Sequence, residues 1–403
     1  MTRIAFIHNN FPAGGAERVT IDIAAYLSAF EGYEVYVYAS RISEGLMTED
    51  MRKTFTLRKI PTQAVPSARA REIERYIVED DIDVLVQVTK AIPGIDDIKK
   101  RTGVRTIVSC HGEPFWQRHA IVYRRQKGAV RKLIWNLYNR KRYEDGTLAM
   151  KKAVSRTLRE YEGCDAYTVL CKPYKLETEE RLGIEPEHSH IYPIENPEYS
   201  VDDVNYEKEN ILLFCGRFEN WSKRIDRLLR IWSKVQNKMP DWRLVLVGDG
   251  ENWEELKQMA TDMSLERVSF EGRRTNVADY YRKASVVALT SETEGWPLAL
   301  TEAQAQGCIC IAFGCTSGIR EVLSPDKECG FIVSPYDEDE YARILLSIVS
   351  MPEEEKLRVR KNSVAKRLEY VPESIAEKWR LLFDEICAPA RENENKSEKY
   401  ESI

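Results

Sequence analysis

The chain has 403 residues, 43% hydrophobic and 31% charged, with 60 Lys and Arg against 65 Asp and Glu for a net charge of −5. That is the balance of a soluble globular protein of roughly two to three domains, and it excludes collagen-like, low-complexity and disulfide-scaffold chains. Net acidity gives nucleic acid no claim on the chain as a whole, and no apolar run approaches the ~18 residues of a membrane span.

The opening MTRIAFIHNNF enters a strand-like run at once and lacks a signal-peptide pattern, so the expected compartment is the cytoplasm. RIAFIHN (3–9) predicts a strand, ERVTIDIAAYLSAF (17–30) an amphipathic helix and EVYVYAS (34–40) a second strand. Helical periodicity over 67–80 precedes DVLVQVT (83–89), then RTIVSC (105–110), YTVLC (167–171) and HIYPIEN (190–196) read as further strands. Residues 197–210 are polar and without period, a linker. The alternation then restarts: strands at 210–216, 242–250, 267–272, 286–291 and 308–314, with helices over 224–238, 251–263, 276–283 and 298–306. Strands alternating with helices indicate parallel, doubly wound sheets. Two such series imply an α/β chain of two Rossmann-like domains, 1–199 and 205–371, facing across a cleft. The helix within 372–388 can return to the first domain, and the charged tail 390–403 reads as disordered. Nine cysteines without a C-x-x-C pair read as reduced structural thiols.

In open parallel α/β sheets, ligands bind beyond the carboxyl ends of the strands. Four segments at such positions carry polar residues. In NNFPAGGAER (9–18), Gly14 and Gly15 open a helix whose backbone N–H groups suit an anion, although a plain tight turn accounts for them equally. In CGRFENWSKRID (215–226), Arg217 and Lys223 flank an irregular loop and can converge on a diphosphate; a solvated basic turn is the alternative. Arg224 and Arg227 are expected on an exposed helix face.

The most specific segment is TSETEGWPLALTEAQAQG (290–307). Glu294 lies in a loop, Pro297 starts a helix, and Glu302 follows within its first turns. Backbone N–H groups over Gly295, Trp296 and Leu298 favour a phosphate. Two acids beside an anion site are poor electrostatics unless they accept hydroxyl hydrogen bonds. The combination points to a sugar and a ribose joined by a diphosphate. The fourth segment, SCHGEPFW (109–116), puts His111 after a strand of the facing domain; a lone histidine is commonly a packing residue, but this position borders the same cleft.

Residues 117–160 hold thirteen Lys and Arg against three Asp and Glu. Arg124, Arg125, Arg131 and Lys132 interleave there with Trp135 and aliphatic residues. A helix pair with a solvated cationic face explains the pattern; a surface that docks on anionic lipid explains it too. Asp81–Asp83 and Asp337–Asp339 sit at element starts and read as capping, so no metal is expected.

Taken together, GGAERV (14–19), HGEP (111–114), GRFENWSKRIDRLL (216–229), LVGDGENWEEL (246–256), SETEGWPLALTEAQAQG (291–307) and ECGFIVSPYD (328–337) resemble family 4 of the retaining glycosyltransferases. The resemblance runs from residue 3 to about 386 and implies the GT-B fold. It implies that Glu294 contacts donor-sugar hydroxyls and Glu302 the ribose, while Arg217 and Lys223 hold the diphosphate under Gly15. His111 would face the sugar C6 hydroxyl and the acceptor, and Gly272 and Arg273 would line the nucleobase. Two departures stand out: Arg217 and Lys223 are six apart where many members show five, and Trp296-Pro297 replaces the frequent Phe-Gly.

The implied activity is transfer, with retention, of a hexose or N-acetylhexosamine from a nucleotide diphosphate sugar, a UDP-sugar being favoured. The acceptor would be a lipid-linked or other glycan, and GCTSGIREVL (314–323) resembles members that build bacterial surface polysaccharides. No cofactor or metal is called for, because the departing diphosphate can take the acceptor proton. With the basic segment, the expected location is the inner face of the cell membrane, held peripherally. A nucleotide-sugar epimerase of the same fold, or a non-catalytic sugar- or lipid-binding partner subunit, are the alternatives.

Overall fold

Runs of β-branched and aliphatic residues become strands buried on both faces, which is how parallel sheets covered by helices are built. The computed structural model describes residues 1–12, 14–88, 91–119, 147–197 and 203–388. The chain divides into two compact units, one of residues 1–197 with those from 372 onward, the other of residues 198–371.

In the first unit, β1 (Thr2–Phe11), β2 (Tyr33–Ile42), β3 (Thr56–Lys59), β4 (Val84–Val88), β5 (Arg105–Ser109), β6 (Ala166–Val169) and β7 (Ile191–Pro193) form one parallel sheet. Its order is β3-β2-β1-β4-β5-β6-β7. β1 lies inside the sheet, with Phe6 opposite Val37 of β2 and Val86 of β4. The terminal helix Pro372–Cys387 turns Ile375, Ala376, Trp379, Leu382 and Phe383 inward. It packs on the helix Gly15–Leu27, and Trp379 meets Phe6 edge-on at 6.3 Å. Lys378 donates to Glu195 at 2.9 Å near the middle of the terminal helix, and Tyr192 donates to Glu385 at 2.9 Å at its far end.

The second unit repeats the plan. β8 (Glu209–Cys215), β9 (Arg243–Val247), β10 (Val268–Gly272), β11 (Ala284–Leu289), β12 (Ile309–Phe313) and β13 (Phe331–Val333) are ordered β10-β9-β8-β11-β12-β13. Every residue of β11 and β12 is buried. In both sheets the winding reverses beside the first strand, at β1/β4 and at β8/β11. Those reversals are the crevices where doubly wound sheets take ligands.

Several elements have no counterpart in the expected pattern: β3, β13, and the helices Ser317–Leu323 and Glu353–Arg367 among them. Pro297 is the N-cap of the helix Leu298–Ala305, one position earlier than expected. Asp337 does cap a helix, accepting from the backbone N–H groups of Asp339 and Glu340. Asp81 and Asp83 both bind Arg3, one through its guanidinium and the other through its backbone N–H.

Candidate functional site

At the β8/β11 reversal, the loop leaving β8 carries Lys223 and the loop leaving β11 carries Glu294. The first loop lies against the β9 turn so closely that a Cβ on Gly248 would fall 1.8 Å from the Gly216 carbonyl oxygen; Gly248 also has φ +138, where glycine is favoured. Phe218 then donates to Asp249 O at 2.9 Å, and Asn220 N–H bonds the Asn252 side chain at 2.9 Å. The two loops are stitched directly, Glu292 N–H to Ser222 O at 2.7 Å and Thr290 Oγ1 to Arg224 O at 3.0 Å.

This stitching brings Lys223 Nζ to 2.6 Å from Glu294 Oε1. Ser291 Oγ donates to the same oxygen at 2.6 Å. Glu294 is 8% exposed and the Lys223 side chain 20%. An ammonium has three donors and a carboxylate about four lone-pair positions, so the pair is compatible with further bonds to phosphate and to hydroxyls. Arg217 has a different partner. Its side chain is 72% exposed and bonds Glu219 at 2.9 Å.

The other donor-side candidates lie on neighbouring loops and the first helix turns. Glu302 faces the buried Tyr281, whose hydroxyl is pushed well above its usual range by burial and then by the charges of Cys215 and Glu302. Gly272 ends β10 with φ +71, followed by the exposed Arg273. Gly295 and Leu298 are half-buried, Pro297 is buried, and Trp296 turns its indole inward onto Tyr370 at 5.3 Å. That indole is buried in the unit's interior.

Arg227 corrects the sequence reading. It is 7% exposed, bonded to Glu292 Oε2 at 2.6 Å with its guanidinium 4.2 Å from the Tyr336 ring centre. Arg224 is half-buried, pairing with Asp226 at 2.9 Å and Glu292 at 3.3 Å. An arginine on a helix face reads as solvated only when no carboxylate from a distant segment comes to meet it.

In the first unit, Gly14 caps the helix Gly15–Leu27 with φ +142, a conformation that favours glycine. Glu17 in its first turn reaches His8 Nδ1 at 3.6 Å. A carboxylate already at this helix mouth works against capture of a second anion there. His8 Nε2 lies 2.9 Å from Thr20 Oγ1, which also donates to Ala16 O at 3.3 Å. His111, just beyond β5, bonds through Nε2 to Ser109 Oγ at 3.1 Å, and Ser109 accepts from Thr168 at 2.9 Å. Enclosure by protein, then the nearby His8, pushes the His111 imidazole down to about 4. It is neutral at physiological pH and suits a hydroxyl partner. Ser291, His8 and Glu17 were missed as site residues, although two stand inside the motifs SETEGW and GGAERV.

The basic positions Arg124, Arg125, Arg131, Lys132 and Trp135, like the tail 390–403, lie outside the described residues. Among the described residues no group of three or more His, Cys, Asp or Glu is placed to hold a metal. No helix there is long and apolar enough to cross a membrane. A groove lined by Asn210, Trp242, Arg243, Arg267 and Ser269 opens at the amino ends of β8–β10, the wrong edge for this chemistry.

Residues 13–193 match the family described as Glycosyltransferase Family 4, and residues 195–366 match Glycosyl transferases group 1. The chain is a GT-B glycosyltransferase of the family 4 type. A Haemophilus influenzae protein described as a glycosyltransferase is 27% identical over 384 residues, spanning 93% of this chain and 98% of its own. A Campylobacter jejuni alpha-1,4-N-acetyl-D-galactosaminyltransferase, named for a glycan on PP-undecaprenol, is 27% identical over 243 residues, 59% of this chain and 65% of that one. Among solved structures, Anabaena HepE in complex with UDP and glucose superposes with a TM-score of 0.74 at 15% identity, covering 96% of this glycosyltransferase and 100% of HepE. That likeness is one of fold.

Proposed function

We propose that this glycosyltransferase moves a hexose or N-acetylhexosamine, with retention, from a nucleotide diphosphate sugar to a lipid-linked or other glycan in cell-surface polysaccharide synthesis. A UDP-sugar is the favoured donor. The observation that carries the reading is the Lys223–Glu294 pair at the reversal point of the second sheet, 2.6 Å apart and held by two stitched loops. A cation and a hydroxyl-accepting carboxylate side by side fit a diphosphate joined to a sugar.

In this scheme Lys223 and Arg217 hold the diphosphate, Glu294 accepts from the sugar hydroxyls and Glu302 from the ribose. The bond from the sugar C1 to the diphosphate oxygen breaks and its electron pair leaves with the diphosphate. The acceptor oxygen bonds C1 on the same face, and its proton passes to the departing phosphate. The protein's part is electrostatic: Lys223 and Arg217 stabilise charge growing on the leaving group. Neutral His111 orients a hydroxyl. No step calls for a metal.

The lipid-linked acceptor is supported by the name of the Campylobacter relative and by thirteen cations over 117–160. Each Lys or Arg near an anionic leaflet contributes about 1 kcal/mol. Liposome co-sedimentation tests it. Binding is expected to require anionic lipid, to weaken with salt, and to drop when Arg124, Arg125, Arg131 and Lys132 become Glu. Equal recovery in the supernatant with and without anionic liposomes points instead to a soluble acceptor.

A further inference from the structure

The loops that carry Lys223 and Glu294 are held from behind by a second, smaller cluster. Arg227, on the first turn of the helix Ile225–Val235, is buried and bonds the Glu292 carboxylate at 2.6 Å and Thr290 O at 3.5 Å. Its guanidinium lies 4.2 Å from the ring centre of Tyr336, whose hydroxyl donates to the Glu292 carbonyl at 3.1 Å. Glu292 is thus held through its carboxylate, which Arg224 also meets at 3.3 Å, through its carbonyl, and through its N–H on Ser222 O. Two residues away in the same loop sits Glu294; one residue beyond Ser222 sits Lys223.

Two non-glycine residues of this cluster occupy the left-handed region, Arg224 at φ +49 and Tyr336 at φ +68. Such conformations persist where surrounding contacts over-determine them. Here those contacts converge on Glu292.

Resting on the donor reading above, we propose that Arg227 and Tyr336 are positioning residues for the donor sugar: they fix Glu292 and thereby set where Glu294 meets the sugar hydroxyls. Arg227 does this with a planar fork that a lysine cannot copy. The nucleotide half of the donor is assigned to other loops, at Gly272 and Glu302. Loosening Glu292 should therefore impair the sugar's alignment and leave the nucleotide's binding intact.

The test uses the full chain, the UDP- or GDP-sugar that the wild type hydrolyses, and the matching free nucleoside diphosphate. Arg227→Met is expected to lower kcat by about 10²-fold, the scale of an ångström of misplacement, while the Kd of the free diphosphate stays within about twofold. Arg227→Lys should recover part of that loss. Tyr336→Phe keeps the ring under Arg227 and removes one hydroxyl at a half-exposed site, so it remains informative if Arg227→Met unfolds; it should lower kcat by several-fold. Wild-type kcat in folded Arg227→Met and Tyr336→Phe would overturn the positioning role alone. Diphosphate affinity falling in step with kcat would mark the cluster as merely structural and also overturn it. A wild type that neither hydrolyses a nucleotide sugar nor binds a nucleoside diphosphate would remove the donor reading and this proposal with it.

Discussion

The two units wind their sheets in the same order yet equip the carboxyl edges differently. Around the β8/β11 reversal the second unit packs opposite charges in close pairs: Lys223 on Glu294, Arg224 and Arg227 on Glu292, and Arg230 on Glu338. The first unit presents Gly14, two histidines, one of them 3.6 Å from the Glu17 carboxylate, and the hydroxyls of Thr20, Ser109 and Thr168. A shared topology creates a crevice in each; the chemistry of each crevice comes from a few loop residues. A fixed, charge-dense edge suits a diphosphate sugar, whose leaving group gains charge. A neutral imidazole backed by hydroxyls suits an alcohol.

The largest effect should come from the charged edge. Glu294→Ala and Lys223→Ala are each expected to lower transfer by at least about 10²-fold, the scale of removing an electrostatic contact. Their stabilities should differ. Lys223→Ala strands the buried Glu294 charge and should cost up to about 3 kcal/mol, whereas Glu294→Ala leaves a lysine that still reaches water. Chemical denaturation of both variants checks the asymmetry, and equal losses would argue against the burial described. Ser291→Ala should lower turnover about tenfold, as for one hydrogen bond to a charged group; unchanged kcat would remove Ser291 from the site.

The neutral His111 should show itself as a pH effect on stability. Burial holds His111 at about 4 in the folded chain, against an ordinary value of 6.5. Between those values the unfolded chain binds the extra proton, so stability is full above about pH 6.5 and is lost as pH falls toward 4. Thermal unfolding of His111→Gln should decline less steeply over that window than the wild type; parallel slopes would contradict it. The smallest effect is none at all: excess EDTA should leave transfer unchanged, and complete loss restored by Mg²⁺ or Mn²⁺ would overturn the metal-free scheme.

Legibility in the sequence followed hydropathy. The central strands β1, β4, β8, β11 and β12 were readable because burial on both faces leaves unbroken aliphatic runs. The helix Glu353–Arg367 was not, because its inward face includes Lys356, Arg360, Ser363 and Arg367, so apolar periodicity is missing. Arg360 lies buried there with Ser285 Oγ at 2.9 Å, a partner 75 positions away. β3 and β13 are edge strands of four and three residues. The site shows the same division. Glu294, Lys223 and Glu302 were marked by motif and by position after strands, whereas Arg227, Glu292 and Tyr336 come into contact only where three distant segments meet.

The most direct test of the central claim is donor hydrolysis. The wild type and Lys223→Ala would be incubated with a panel of UDP- and GDP-sugars without acceptor, and released nucleoside diphosphate measured. The expected result is slow hydrolysis of one donor or a narrow set by the wild type, reduced at least about 10²-fold in a folded Lys223→Ala. Hydrolysis of no nucleotide sugar, or equal hydrolysis by both proteins, would contradict the assignment of the second unit's charged edge to the donor.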